Sequence, residues 1–386
     1  MTQVPRKEFG LPHRTITGPG TLSEAGAEVL RLGRRAFIGC GRATMRKSGI
    51  LDTLLSSLHA AGVEATVFDQ IEGNPSTATV DKGVAAAQGF GADVMIGLGG
   101  GSAMDAVKMI ARLARDKGRA VEYLMGGRTP DAPGLPVVAI PSTSGTGSEA
   151  NHIAVITNEE TGIKKGARIP ESVPRLVILD PEVSAHMPPD LTAHTGLDAL
   201  AHATESFVST GATPLSRALS LKAIERIAIF LPRVVKNGGD MEARMEMALA
   251  SYMAGASLMA SVGLCHEMAM ALGSFRKDHH GLLVARLMVP AMAVNRREAD
   301  DDIRAIARAM GRNDANVDDA LNCLAEFVRR FVPAGPLSDL GYKVTDIPEI
   351  LRISKISTNI TTNPKPLDDA LRTRFLEGMI EEGDAR

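Results

Sequence analysis

Residues 93–108 read DVMIGLGGGSAMDAVK: an unbroken apolar run ends in Gly99, Gly100, Gly101 and Ser102, and a helical pattern begins at once. A short run without polar alternation suits a strand covered on both faces, as in a parallel sheet sandwiched by helices. Glycines at its end let backbone amides close on an anion, and the helix N-terminus adds partial positive charge. The segment therefore reads as strand, pyrophosphate turn and helix.

The same rhythm extends to either side. Strands are expected at 35–40, 64–68, 93–98, 135–140 and 175–179, and helices at 51–61, 77–89 and 103–116. Such alternation implies a parallel sheet. In the usual dinucleotide fingerprint the glycines follow the first strand; here the triplet follows the third expected one. Residues 141–149, PSTSGTGSE, form a second glycine- and hydroxyl-rich loop after the strand 135–140. Ligands of open parallel sheets bind at such strand ends.

Beyond Asp180-Pro181 and Pro188-Pro189 the pattern changes to helical repeats at 196–209, 214–230, 241–259, 281–294, 299–310, 317–330 and 367–382, with no strand pattern between them. The expected fold class is α/β plus all-α. A parallel-sheet domain would span 1–184 and a helical domain 185–386.

A chain of 386 residues can bury two cores. Its formal charge of −2, without a long run of like charge, argues against nucleic acid or an anionic membrane as partner. Cys40, Cys265 and Cys323 are odd in number and outside any CxxC pattern, which fits free thiols and a cytoplasmic location. No apolar run follows Arg6, Lys7 and Glu8, so no secretory signal is expected. The 18 uncharged residues 248–265 meet the length of a membrane span. They are rich in Ala, Ser, Met and Gly and run into His266 and Glu267, so a buried, closely packed helix is expected instead.

Asp198 and His202, in TGLDALAHATES, are four residues apart on a helical pattern and share one face. His266 lies in GLCHEMAMALG and His280 in DHHGLL. On one continuous helix those two imidazoles would be about 21 Å apart. Gly273, Ser274 and the polar run 276–278 supply a break that lets His280 return toward His266. One carboxylate and three imidazoles suit Fe(II) or Zn(II), and spacing does not choose between them.

Taken in order, GGGSAMDAVK (99–108), SGTGSE (144–149), Asp180-Pro181, GLDALAH (196–202), His266 with Leu272-Gly273, His280-Gly281 and NPKP (363–366) carry a resemblance that covers essentially the whole chain. The chain resembles the iron-containing, or group III, alcohol dehydrogenase family. That resemblance implies hydride transfer between NAD or NADP and a small alcohol or aldehyde, with a dinucleotide-binding domain over 1–184, a helical metal-binding domain over 185–386 and the active site in the cleft. The metal, Fe(II) before Zn(II), would polarise the substrate oxygen from Asp198, His202, His266 and His280. It implies cofactor contacts from Gly41, Gly99, Gly100, Gly101, Ser102, Asp105, Ser142, Thr143, Ser144, Thr146, Ser148 and Lys164, and a homodimer or higher homo-oligomer. Many family members place an aspartate against the adenosine ribose where this chain has Gly41. Glycine leaves room for a 2′-phosphate and Arg42 could pair with it, which favours NADP.

Departures from the family pattern bear on the substrate. Met270 replaces a histidine four residues after the third ligand, Ser257 a phenylalanine nine before it, and His279 the proline before the last ligand. Asn151 and His152 replace more familiar residues after the SGTGSE loop. With Asn359, these residues form the expected substrate pocket, more polar than one for simple alkyl alcohols. A substrate bearing a second polar or anionic group is expected. Lys165 and Arg168 either add charge for such a group or are solvated loop residues. Three rival functions are a metal-independent, maleylacetate-reductase-like reduction of an oxo-acid, a dehydroquinate-synthase-type lyase, and a nucleotide-binding module. The intact ligand set opposes the first, net NAD(P)H turnover would separate the second, and the third leaves the metal pattern unexplained.

Overall fold

The computed structural model describes residues 9–358 and 360–383. Its strands are β1 (Arg14–Thr17), β2 (Arg35–Gly39), β3 (Glu64–Phe68), β4 (Val94–Gly99), β5 (Val137–Pro141), β6 (Ile153–Thr157), β7 (Lys164–Arg168) and β8 (Leu176–Leu179). Six of them form one parallel sheet in the order β1-β8-β5-β4-β2-β3. The chain runs from β2 outward to β3, then returns past β2 to β4. Winding reverses between β2 and β4, and a ligand crevice opens outside the strand ends at such a point.

Both faces of the sheet are covered. Phe37, Met95 and Val137 join Val80, Val107 and Ile110 in one core. Their strand neighbours Ala36, Ile38, Val94, Ile96 and Val138 point into the other, against Leu51, Leu54 and Leu58. Neither face meets water, so the central strands are apolar at nearly every position and show no polar alternation.

Several expectations need correction. The edge strand β1 was not expected, so the glycine triplet follows the fourth strand rather than the third. Lys165 and Arg168, weighed either as charge for the substrate or as solvated loop residues, lie in β7, which pairs antiparallel with β6. The continuous helix expected over 248–265 is broken: the helix Met241–Ser257 tightens into a 3-10 turn at Leu258–Ala260, Ser261 takes a φ of 73°, and a new helix starts at Leu264.

No strand follows Leu179 among the described residues. The chain there forms the helices Pro189–Val208, Pro214–Lys236, Met241–Ser257, Leu264–Arg276, His280–Val294, Asp300–Ala309, Val317–Arg329, Ile347–Ser357 and Asp369–Glu381. None of the described helices is by itself long and apolar enough to cross a membrane. The chain divides into two compact units, one of residues 11–192 with 233–252, the other containing 193–232 and everything from 253 on. Met245, Leu249 and Tyr252 pack on Met104, Ala139, Val177 and Leu179, which is why 233–252 goes with the sheet. In the helical unit Leu197, Leu200, Ile224, Ile227, Leu264, Leu272, Leu283 and Leu287 are buried.

Candidate functional site

In the α/β unit, a cleft of roughly 350 Å³ lies at the C-terminal ends of β2, β4 and β5. Gly41, Gly99, Gly100, Ser102, Ser142 and Thr143 line it, joined by Glu72 and His186, which the sequence reading missed. Gly99 has a φ of 145°, a conformation that a side chain rarely permits. A Cβ on Gly101 would sit 2.6 Å from Thr146 Cγ2, so the two glycine loops approach too closely for a larger residue.

The other expected cofactor residues, Gly101, Asp105, Ser144, Thr146, Ser148 and Lys164, do not line this cleft. Asp105 instead anchors a buried clamp. Its Oδ1 accepts a hydrogen bond from Ser148 Oγ at 2.5 Å and its Oδ2 one from Val155 N at 2.9 Å. Lys108 Nζ lies 3.2 Å from Asp105 Oδ1 and donates to the Ser148 carbonyl at 3.0 Å and to that of Ile153. Burial lowers the Lys108 pKa, opposed by the Asp105 charge. Glu149 beside them is fully buried, and that desolvation raises its pKa to about 7. Lys164 is buried in β7, and desolvation lowers its pKa.

The expected substrate residues are placed as follows. Asn151 ties its own turn together, donating through Nδ2 to the Gly147 carbonyl at 3.0 Å and accepting from Ile153 N at 2.8 Å. His152 is buried. In the helical unit, buried Ser257 gives its hydroxyl proton to the Ala254 carbonyl at 2.7 Å, Met270 is buried, and His279 is exposed with its ring 5.1 Å from that of His194. Asn359 lies outside the described residues.

The histidines of the helical unit converge. The helix Leu264–Arg276 ends at Lys277, whose left-handed φ of 64° lets its N–H close on the Gly273 carbonyl, and the next helix begins at His280. That turn brings His280 Nε2 to 3.6 Å from Asp198 Oδ1, where His266 Nε2 lies at 3.4 Å and His202 Nε2 at 4.0 Å. For metal bonds near 2.1 Å, ligand atoms of a tetrahedral site stand about 3.4 Å apart. Asp198, His202 and His266 offer ligand atoms that all lie within 4.8 Å of one another, a donor set that suits a small divalent cation, and His280 adds a further imidazole beside Asp198.

Electrostatics agree with that fit. Burial pushes the Asp198 pKa up, but the His202 charge, the His266 hydrogen bond and the charges of His280 and His266 together hold it well below the usual carboxylate range. Burial alone would lower the His266 pKa; hydrogen bonds to Asp198 and Glu205 and the two negative charges override this and raise it to about 9. The pocket attracts positive charge.

In the helical unit, sequence reasoning missed Glu205. Its buried carboxylate accepts from His266 Nδ1 at 2.6 Å. The available signal was its place in TGLDALAHATES, seven residues after Asp198 and so on the same helix face. Cys265 also lies near Glu205 and His266, but its thiol donates to the Val284 carbonyl at 3.5 Å and burial raises its pKa well above the ordinary value.

Comparison with known proteins finds one family over both halves of the chain. Residues 12–181 match the iron-containing alcohol dehydrogenase family, and residues 192–373 its C-terminal domain. Alcohol dehydrogenase 4 of Schizosaccharomyces pombe is 33% identical over 380 residues, covering 97% of this chain and 90% of that protein. Lactaldehyde reductase of Escherichia coli is 34% identical over 372 residues, covering 94% and 95%. The crystal structure of a 1,3-propanediol oxidoreductase superposes with a TM-score of 0.91 at 31% identity, covering 97% of this chain and all of that one. By family and fold together, the chain belongs to the iron-containing alcohol dehydrogenase family and is an oxidoreductase acting on alcohols or aldehydes.

Proposed function

We propose that this enzyme is a metal-dependent, NAD(P)-linked oxidoreductase that interconverts a small alcohol and its aldehyde or ketone, the substrate bearing a second polar or anionic group. The carrying observation is the convergence of three imidazole Nε2 atoms on Asp198 Oδ1. Asp198, His202, His266 and His280 hold the cation, Fe(II) in preference to Zn(II) on the family's chemistry. When bound, the cation supplies a Lewis acid for the substrate oxygen and the nicotinamide supplies hydride chemistry.

The chain's own residues do the rest. Gly99, Gly100 and Ser102 offer the start of the helix Gly101–Leu113 to the cofactor's pyrophosphate. Gly41 lines the cleft without a carboxylate, and Arg42 beside it is exposed, an arrangement that accepts a 2′-phosphate and favours NADP. Met270 carries no proton, so the substrate proton moves through other groups. The names lactaldehyde reductase and 1,3-propanediol oxidoreductase support a substrate with a second oxygen.

Metal content and NAD(P)H oxidation with an aldehyde panel test the assignment. His266→Ala should lose metal and activity together, since the remaining three donors bind weakly. Full metal occupancy in that variant would refute the ligand set. Absence of net NADPH or NADH turnover would point to a lyase.

A further inference from the structure

We infer that Glu205 is a positioning residue that fixes the tautomer and the ring orientation of His266, so that His266 Nε2 presents a lone pair to the metal. This rests on the ligand set proposed above. The carboxylate does two things at once. One oxygen, Oε2, accepts from His266 Nδ1 at 2.6 Å, and a carboxylate can only accept, so the ring proton is held on Nδ1 and Nε2 is left as the donor to a cation. The other, Oε1, accepts from Cys265 N at 2.7 Å, and Oε2 also lies 3.3 Å from His266 N. The same group thus caps the start of the 13-residue helix Leu264–Arg276 that carries the ring.

The chain packs closely on the carboxylate at Gly263. A Cβ on Gly263 would come within 2.8 Å of both Glu205 Oε1 and Asn363 Oδ1. Asn363 Oδ1 accepts from Leu264 N at 3.3 Å, while its Nδ2 donates to Asn295 Oδ1 at 2.7 Å. Glutamine at position 205 cannot reproduce the arrangement. If its amide NH2 faces Nδ1, the ring proton moves to Nε2 and the lone pair is lost. If its oxygen faces Nδ1, the NH2 meets the Cys265 N–H, donor against donor.

The test compares wild type, Glu205→Gln and His266→Ala in Co(II) affinity, read by competition with a chelator, and in the visible Co(II) spectrum. Thermal unfolding of the metal-free proteins is followed alongside. Loss of such an outer partner typically weakens a site by roughly ten- to a hundredfold. Glu205→Gln should fall in that range and shift the Co(II) bands while its metal-free unfolding stays near wild type. If Glu205→Gln does not fold, Glu205→Asp, which keeps the acceptor but withdraws it by one methylene, should show the same direction of change. Affinity within twofold of wild type and an unchanged spectrum would overturn the role of Glu205 and leave the ligand set standing. Wild-type affinity in His266→Ala would overturn the ligand set and this inference with it.

Discussion

Lys108 Nζ lies 3.2 Å from Asp105 Oδ1 on the same helix with only 1% of the lysine side chain exposed, and both partners reach across to Ser148 in the second strand-end turn. Breaking one side of a buried pair strands the other charge and costs roughly 3–5 kcal/mol. Lys108→Met should lose stability on that scale in urea unfolding. Adding Asp105→Asn should recover part of the loss, because the two sites are directly coupled. A single-variant loss below about 1 kcal/mol would show that the pair is not what holds the turns.

Glu149 makes stability depend on pH in a defined direction. Burial raises its folded-state pKa from 4.5 to about 7, so between those values the folded chain binds a proton that the unfolded chain has released. Its contribution is therefore complete below the lower value and is lost as pH rises through the upper one, by about 3 kcal/mol at most. Unfolding measured at about pH 5 and about pH 8 should show a smaller drop in Glu149→Gln than in wild type. An equal drop in both would remove Glu149 as the source.

The cofactor preference should reverse at one position. A Cβ on Gly41 meets only the Ile71 carbonyl oxygen, at an ordinary 3.5 Å, so an aspartate can be accommodated. Wild type should use NADPH at least as well as NADH. Gly41→Asp should lower kcat/KM for NADPH at least tenfold relative to NADH, or about 1.4 kcal/mol. A wild type already tenfold better with NADH would contradict the 2′-phosphate assignment.

For the substrate, hydroxylated or anionic aldehydes should exceed alkanals of matched length in kcat/KM, because a site that hydrogen-bonds a second polar group of its substrate rejects an analogue lacking it. Butanal outperforming every such analogue would remove the case for a polar pocket.

The legible parts of the fold were those whose burial leaves a uniform pattern. The strands around Ile38, Ile96 and Val138 announce themselves because both faces are covered. β1, with the sequence RTIT, is four residues long at the sheet edge and too short and polar to stand out. β7 starts with Lys164 and Lys165, and lysines in a hairpin read as loop. The helix Ile347–Ser357 went unassigned although Ile347, Ile350 and Ile353 repeat at helical spacing and are buried. At the histidine cluster, residue type and spacing offer the four donors and the break before His280, and the family resemblance is what joins them into one set. Glu205 was not singled out, because a glutamate on a helix is usually solvated and only the fold shows it buried against His266. For Asp105, residue type and a place beside the glycines suggest a ligand contact, while the fold adds bonds to Lys108 and Ser148 that no spacing reveals.

His280 opens a helix whose buried residues Leu283, Val284, Leu287, Met288 and Ala291 fall on the same stripe, three, four, seven, eight and eleven positions on. Its angular phase is therefore set by core packing downstream, while the turn before it, held by the Tyr342 hydroxyl on Asp278 Oδ2, sets where the helix begins. A one-residue insertion inside the helix would turn it by about 100° against its own core.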